Sequence, residues 1–231
     1  LMDDEKLTQD LIGVCTPTFV TPDTRANSTL QQWSLREMPV FYFINPFDSH
    51  LRDFFMQSLW NETQTNPLGQ RYYSCVPYLL GEGRAMQYAF YPRTRVPKRI
   101  PRLPLRPPDN YLRDNMVKTL ATQDVEFDIL VQVQTDPHRM PIENAAVLWP
   151  ERLSPRVPVA RLHIPAQRFD TPAQFGFASN LSYNPWHALP EHRPLGNQSR
   201  ARLRLYQELS RFRQRMNGTP HVEPTGDEVF E

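Results

Sequence analysis

Twenty-four prolines against eight glycines, spread through 231 residues, limit this chain more than any other feature. Each proline fixes its own φ, removes a backbone donor and pushes the residue before it out of the helical region. Regular elements must therefore fit between prolines, and the connections are stiff and extended rather than flexible. What remains shows no βαβ rhythm, so antiparallel strands with interspersed helices are expected, an α+β class. The length suits one large domain, bounded as residues 39–218, with an irregular polar segment at 1–38 and a polar tail at 219–231.

Residues 39–44 (PVFYFI) read as a short apolar strand, broken by Asn45-Pro46. Asp48 then looks like the cap of a helix whose Leu51, Phe54, Phe55, Ser58 and Leu59 line one face, ending near Trp60 or Glu62. Residues 72–80 and 86–91 form a hairpin across Gly81-Glu82-Gly83, with Met86, Tyr88 and Phe90 alternating against Gln87 and Ala89. Residues 92–108 hold six prolines and six basic residues and read as an extended crossing segment. Leu112, Met116 and Leu120, at four-residue steps, predict a helix over 110–121. A strand over 127–134 turns Phe127, Ile129, Val131 and Val133 to a dry face; a long loop at 137–155 leads to a strand at 157–164 with Ala160, Leu162 and Ile164 sharing a face.

The last element carries the chemistry. Gly196-Asn197 is turn material, and a helix is expected from Asn197 or Ser199 to about Met216, closed by Asn217-Gly218. Leu205, Leu209, Phe212 and Met216 make an apolar stripe expected to pack inward. Arg202 lies one turn before Tyr206 and therefore beside it. A guanidinium near a phenol favours the phenolate, a good ligand for ferric iron. The same R-x-x-x-Y spacing also suits an ordinary core tyrosine with its hydroxyl at a helix surface.

Several function classes find no support. With 26 basic and 25 acidic residues the net charge is +1, so no bulk field draws polyanions. Six arginines on the last helix invite a nucleic-acid reading, but Tyr206 inside the apolar stripe and the near-neutral total argue against it. No run approaches 18 apolar residues, and LMDDEKLTQD at the start has no apolar signal region, so a soluble, cytoplasmic chain without a membrane partner is expected. Cys15 and Cys75 imply neither a disulfide framework nor a zinc site. The histidines, His50, His138, His163, His187, His192 and His221, lack metal-motif spacing and read as scattered. Neither a phosphate-binding glycine loop nor a G-x-S-x-G nucleophile motif is present.

The order NPWH (184–187), PEHRPLG (190–196), R-x-x-x-Y (202–206) resembles the haem catalase superfamily, in particular its catalase-like bacterial proteins. Upstream, YSCVPYLLG (73–81), DILVQVQTD (128–136), LWPE (148–151) and VPVARL (157–162) stand in the family's order, so the likeness covers about residues 39–216. The resemblance implies a partial antiparallel β-barrel wrapped by helices, with ferric haem b held on the tyrosine helix. It casts Tyr206 as the iron ligand, Arg202 as its cationic partner and Arg213 as a haem-propionate ligand, with Arg211 the rival. His187 and His192 flank the approach, in either a structural role or at the haem edge. The implied activity is peroxide-dependent oxidation, with hydrogen peroxide or an organic hydroperoxide as substrate; rearrangement of fatty-acid hydroperoxides and a haem-binding module without turnover are the alternatives. The family's distal histidine is expected upstream of Leu1, a first residue that reads as a processed or partial chain. Two segments compete for its distal asparagine, GVCTP (13–17), with Val14 and Cys15 in the relevant slots, and REMP (36–39), and neither has an asparagine. Oligomerisation and turnover are left open.

Overall fold

A computed structural model describes residues 8–60, 62–100 and 106–230, with the side chains of Met56 and Gln57 excepted. The acidic start at 1–7 and the centre of the proline-rich crossing segment, 101–105, lie outside the described residues. In chain order the elements are α1 (Thr24–Leu35), α2 (Val40–Phe43), α3 (Leu51–Trp60), β1 (Tyr72–Tyr73), β2 (Tyr78–Leu79), β3 (Ala85–Pro92), α4 (Tyr111–Leu120), β4 (Val125–Val133), β5 (Val157–Ile164), α5 (Pro172–Asn180) and α6 (Gly196–Asn217). The expected α+β class with antiparallel pairing holds: the strands order as β1-β3-β4-β5, and β2 also pairs with β3. Among the described residues the sheet is open and does not close into a barrel.

The predicted strand over 72–80 is split in two. Tyr73 faces Ala89 while Tyr78 faces Met86, so five steps along one strand oppose three along the other. Residues 74–77 absorb the excess because Pro77 cannot donate to the ladder and Cys75 takes φ 57, a left-handed conformation costing a non-glycine residue on the order of 1 kcal/mol. A smaller irregularity lies between β4 and β5, where Ile129 faces Ala160 but Leu130 faces Pro158, leaving Val159 as the extra residue. Pro158 is tolerated because β5 forms the edge of the sheet.

Burial departs from simple alternation. Val131 packs with Val76, Tyr78, Met86 and Tyr88, and Phe127 packs with Leu68, Leu120 and Val125, as their strand phase predicts. Gln87, Ala89, Leu130 and Gln132, on the face expected to be wet, are buried too. Covering loops explain this: the Gln132 amide donates to the carbonyls of Trp149 at 3.2 Å and Ser154 at 2.8 Å, so the loop at 137–155 closes over it. β5 is the opposite case, with only Ile164 partly buried and Ala160 and Leu162 exposed.

Four expectations are corrected. Residues 39–44 form no strand; Val40–Phe43 is a short helix that buries the adjacent Tyr42 and Phe43. The Tyr42 hydroxyl then donates to Asp53 at 2.8 Å, so α3 turns Asp53 inward and leaves Leu51, Phe54, Phe55 and Leu59 exposed. Within the supposedly irregular 1–38, Asp23 caps α1 by accepting from the Ala26 amide. In α6 the stripe of Leu205, Leu209, Phe212 and Met216 faces outward. That helix seats through polar groups instead: Ser210 meets Ser182 at 2.5 Å, and Gln214 donates to Ser182 at 3.3 Å. α4 and the span of α6 agree with expectation.

Placing a charge in the Val131 cluster should destabilise the fold by more than about 3 kcal/mol, because the residues packed there, Val76, Tyr78, Met86, Tyr88 and Ala145, carry no opposite charge. Urea unfolding of Val131→Asp checks this against Val159→Asp on the edge strand, expected within about 0.5 kcal/mol of the parent.

Candidate functional site

The position of Tyr206 is set ten residues earlier, at the first turn of α6. Gly196 has φ +85, and a Cβ there would lie 2.5 Å from the Ile142 carbonyl oxygen, so only glycine lets the helix begin this close to the 137–155 loop. Asn197 ties the turn down in two directions. Its side-chain amide donates to the Glu143 carbonyl at 2.7 Å, and its Oδ1 accepts from the Thr24 backbone at 3.0 Å and hydroxyl at 3.1 Å, at the head of α1. The Trp186 indole donates to the Ser199 carbonyl at 2.7 Å. Arg200 forks onto Glu143 at 2.9 and 3.0 Å and holds that carboxyl below the usual range, so this clamp acts at neutral pH and is lost as acid protonates Glu143.

One turn on, the Arg202 Nη2 donates to the Tyr206 hydroxyl at 2.8 Å, with the guanidinium carbon 5.0 Å from the ring centre. The two residues expected to be neighbours are in direct contact. Both line a cavity of about 520 Å³ between α6, α1 and the segments around Val14 and Ser74. Ile12, Val14, Phe19 and Leu205 supply its apolar walls; Thr24, Asn27, Ser28 and Gln31 of α1 supply a polar one. Of the two candidate distal segments, only residues 13–17 reach the cavity, through Val14; Cys15 is exposed and residues 36–39 do not line it.

The break between β1 and β2 brings Cys75 to this cavity. Its thiol donates to the Thr16 carbonyl at 2.7 Å, and burial pushes its pKa up to about 12, although Thr16 and the nearby Arg202 pull the other way. Nothing in the sequence reading singled out Cys75; Pro77 two residues on was the available signal of a broken strand. Burial raises the Tyr78 phenol as well, close enough to Arg202 and Tyr206 to feel both.

The other expected residues sit around the far side of Tyr206. Arg213 lines a cavity of about 230 Å³ with Tyr206 and donates to the Leu181 carbonyl and, at 3.3 Å, to Ser182. Arg211 lines an adjoining cavity of about 250 Å³ and faces Glu208 at 3.9 Å. His187 is buried beside that cavity with its Nδ1 2.9 Å from Asp10, whereas His192 stands apart, 3.4 Å from Gln9. Among the described residues no three His, Cys, Asp or Glu side chains gather as a metal-ligand set, and no helix is long and apolar enough to cross a membrane.

No family model matches the chain, and no curated protein does. Solved structures do. A fungal catalase superposes with a TM-score of 0.65 at 14% identity, over 95% of this chain and 48% of its own. A bacterial catalase gives 0.65 at 13% identity, over 96% and 48%. Catalase A from Saccharomyces cerevisiae gives 0.56 at 13%, over 92% and 41%. The fold is catalase-like, and the chain spans about half the length of these proteins.

The cysteines test the burial at the cavity wall. At pH 8 iodoacetamide should alkylate exposed Cys15 in the folded protein and reach Cys75 only in denaturant, as read by peptide mass mapping. With a folded pKa of about 12 against an ordinary 9.0, Cys75 favours the folded state fully below pH 9, and this contribution is lost as pH rises towards 12. Cys75→Ala should flatten that alkaline loss.

Proposed function

We propose that this chain binds ferric haem b at the cavity beside Tyr206 and acts on a peroxide, either hydrogen peroxide or an organic hydroperoxide. The observation that carries the reading is the Arg202 to Tyr206 hydrogen bond at the wall of a roomy, largely apolar cavity. A catalase-like fold supports it.

The residues present suit the group. Tyr206 offers an oxygen donor of the kind that ferric haem accepts, and the Arg202 guanidinium, hydrogen-bonded to that oxygen, holds it in place at the cavity wall. Ile12, Val14, Phe19 and Leu205 present apolar surface suited to a macrocycle. Arg213 is the candidate for a propionate, which would replace its hydrogen bonds to Leu181 and Ser182; Arg211, on the neighbouring cavity, remains the rival. When bound, ferric haem supplies redox chemistry towards a peroxide O–O bond that no side chain here supplies.

On the polar wall, Asn27, Ser28 and Gln31 can orient a small polar substrate by hydrogen bonds, but none titrates near neutral pH. No histidine lines this cavity among the described residues. A positioned acid-base group is typically worth a rate factor of about 10² to 10⁴, so slow turnover is expected of the 231-residue chain.

Reconstitution with haemin tests the proposal. The parent should give a tyrosinate-ligated ferric spectrum and Tyr206→Phe should lose it, while an unchanged spectrum in that variant would overturn the assignment. Arg202→Lys should keep part of the effect and Arg202→Leu should lose it, since leucine fills space without charge. Oxygen evolution per haem from hydrogen peroxide should stay on the order of that of free haemin; a far higher rate would point to a proton acceptor elsewhere in the protein.

A further inference from the structure

A second cavity, of about 290 Å³, shares no wall residue with the cavity assigned above. Tyr78, Met86, Tyr88, Ile129 and Val131 of β2, β3 and β4 form its floor. Leu11 covers it.

An apolar gap of this size would ordinarily close, because its walls forfeit dispersion contacts. Here hydrogen bonds on both sides of Leu11 fix the height of the cover. On one side, the Asp10 amide donates to the His187 carbonyl at 2.8 Å, and its carboxylate accepts from the Asn184 amide at 2.7 Å and meets His187 Nδ1 at 2.9 Å. On the other, the Tyr88 hydroxyl donates to the Ile12 carbonyl at 2.8 Å. At the rim, Gln9 and His192 engage each other at 3.4 Å. The cavity is held open by bonds that have nothing to do with filling it.

Those same bonds determine what can enter. Asp10 and the Tyr88 hydroxyl are already engaged, so the walls offer no uncommitted charge and favour a neutral molecule. An apolar cavity of about 150 Å³ takes benzene, so one about twice as large takes a bicyclic ring system of about ten non-hydrogen atoms. The rings of Tyr78 and Tyr88, tilted 49° to each other at 5.0 Å, and the Met86 thioether favour an aromatic ligand over an aliphatic one. We propose that this cavity is a binding site for a small, uncharged, bicyclic aromatic molecule, independent of haem.

Indole serves as the probe, titrated into the full chain without haemin. In methyl-labelled protein, nuclear Overhauser effects should run from indole protons to the methyl groups of Met86, Ile129 and Val131, with saturable shift changes at the same groups. Leu11→Trp and Val159→Trp, both at exposed positions on the wall, should weaken binding at least tenfold by filling the space. Tyr206→Phe should leave it unchanged, which separates this site from the haem reading. Absence of saturable binding, or Overhauser effects to methyls outside this cavity, overturns the proposal, and the labelled parent decides the matter even if neither tryptophan variant folds. Tight binding of indole that survives both tryptophan substitutions would equally place it elsewhere.

Discussion

The close approach of Gly196 to the Ile142 carbonyl is the constraint on which the candidate site depends. It lets α6 start against the 137–155 loop, and Asn197, Arg200 and Trp186 then lock the rotation of the helix about its axis. A helix advances about 100° per residue, so fixing its first turn fixes which way Arg202 and Tyr206 point. Any side chain at residue 196 would push the helix off the loop and move the tyrosine with it.

The sheet contributes a second positioning device. A continuous strand over 72–80 would lie flat against β3 and keep Cys75 in the ladder. Pro77 and the left-handed Cys75 instead arch residues 75–77 away, which puts Cys75, with Ser74 next to it, at the wall beside Arg202 and splits the strand into β1 and β2. A local cost in backbone conformation thus shapes the cavity, as is common where function and regular structure compete for the same residues.

Much of this was legible in the chain itself, and the failures have identifiable causes. α4, β4, β5 and α6 stand close to the bounds expected from apolar spacing and from Gly196-Asn197 and Asn217-Gly218, and the antiparallel pairing followed from the absence of a βαβ rhythm. The Arg202 and Tyr206 contact was readable because one helical turn guarantees it. The phase of α6 was not readable: hydrophobic periodicity placed Leu205, Leu209, Phe212 and Met216 inside, whereas the helix seats through Ser210 and Gln214. PVFYFI has strand composition but becomes helical after Pro39, because burying the adjacent Tyr42 and Phe43 outweighs β propensity. Two helices had overlooked sequence signals. Asp23 precedes twelve residues free of glycine and proline, and Thr171-Pro172-Ala173-Gln174 is a capping box that starts α5. The cavity was out of reach, since it is built from segments more than a hundred residues apart and no periodicity encodes that.

The claim that α6 presents Tyr206 as an iron ligand can be tested on the haemin-loaded protein by resonance Raman spectroscopy with ring-deuterated tyrosine. Iron–phenolate and phenolate ring bands should appear, shift on deuteration and vanish in Tyr206→Phe. Bands of a histidine- or water-ligated haem that are indifferent to the label would contradict it.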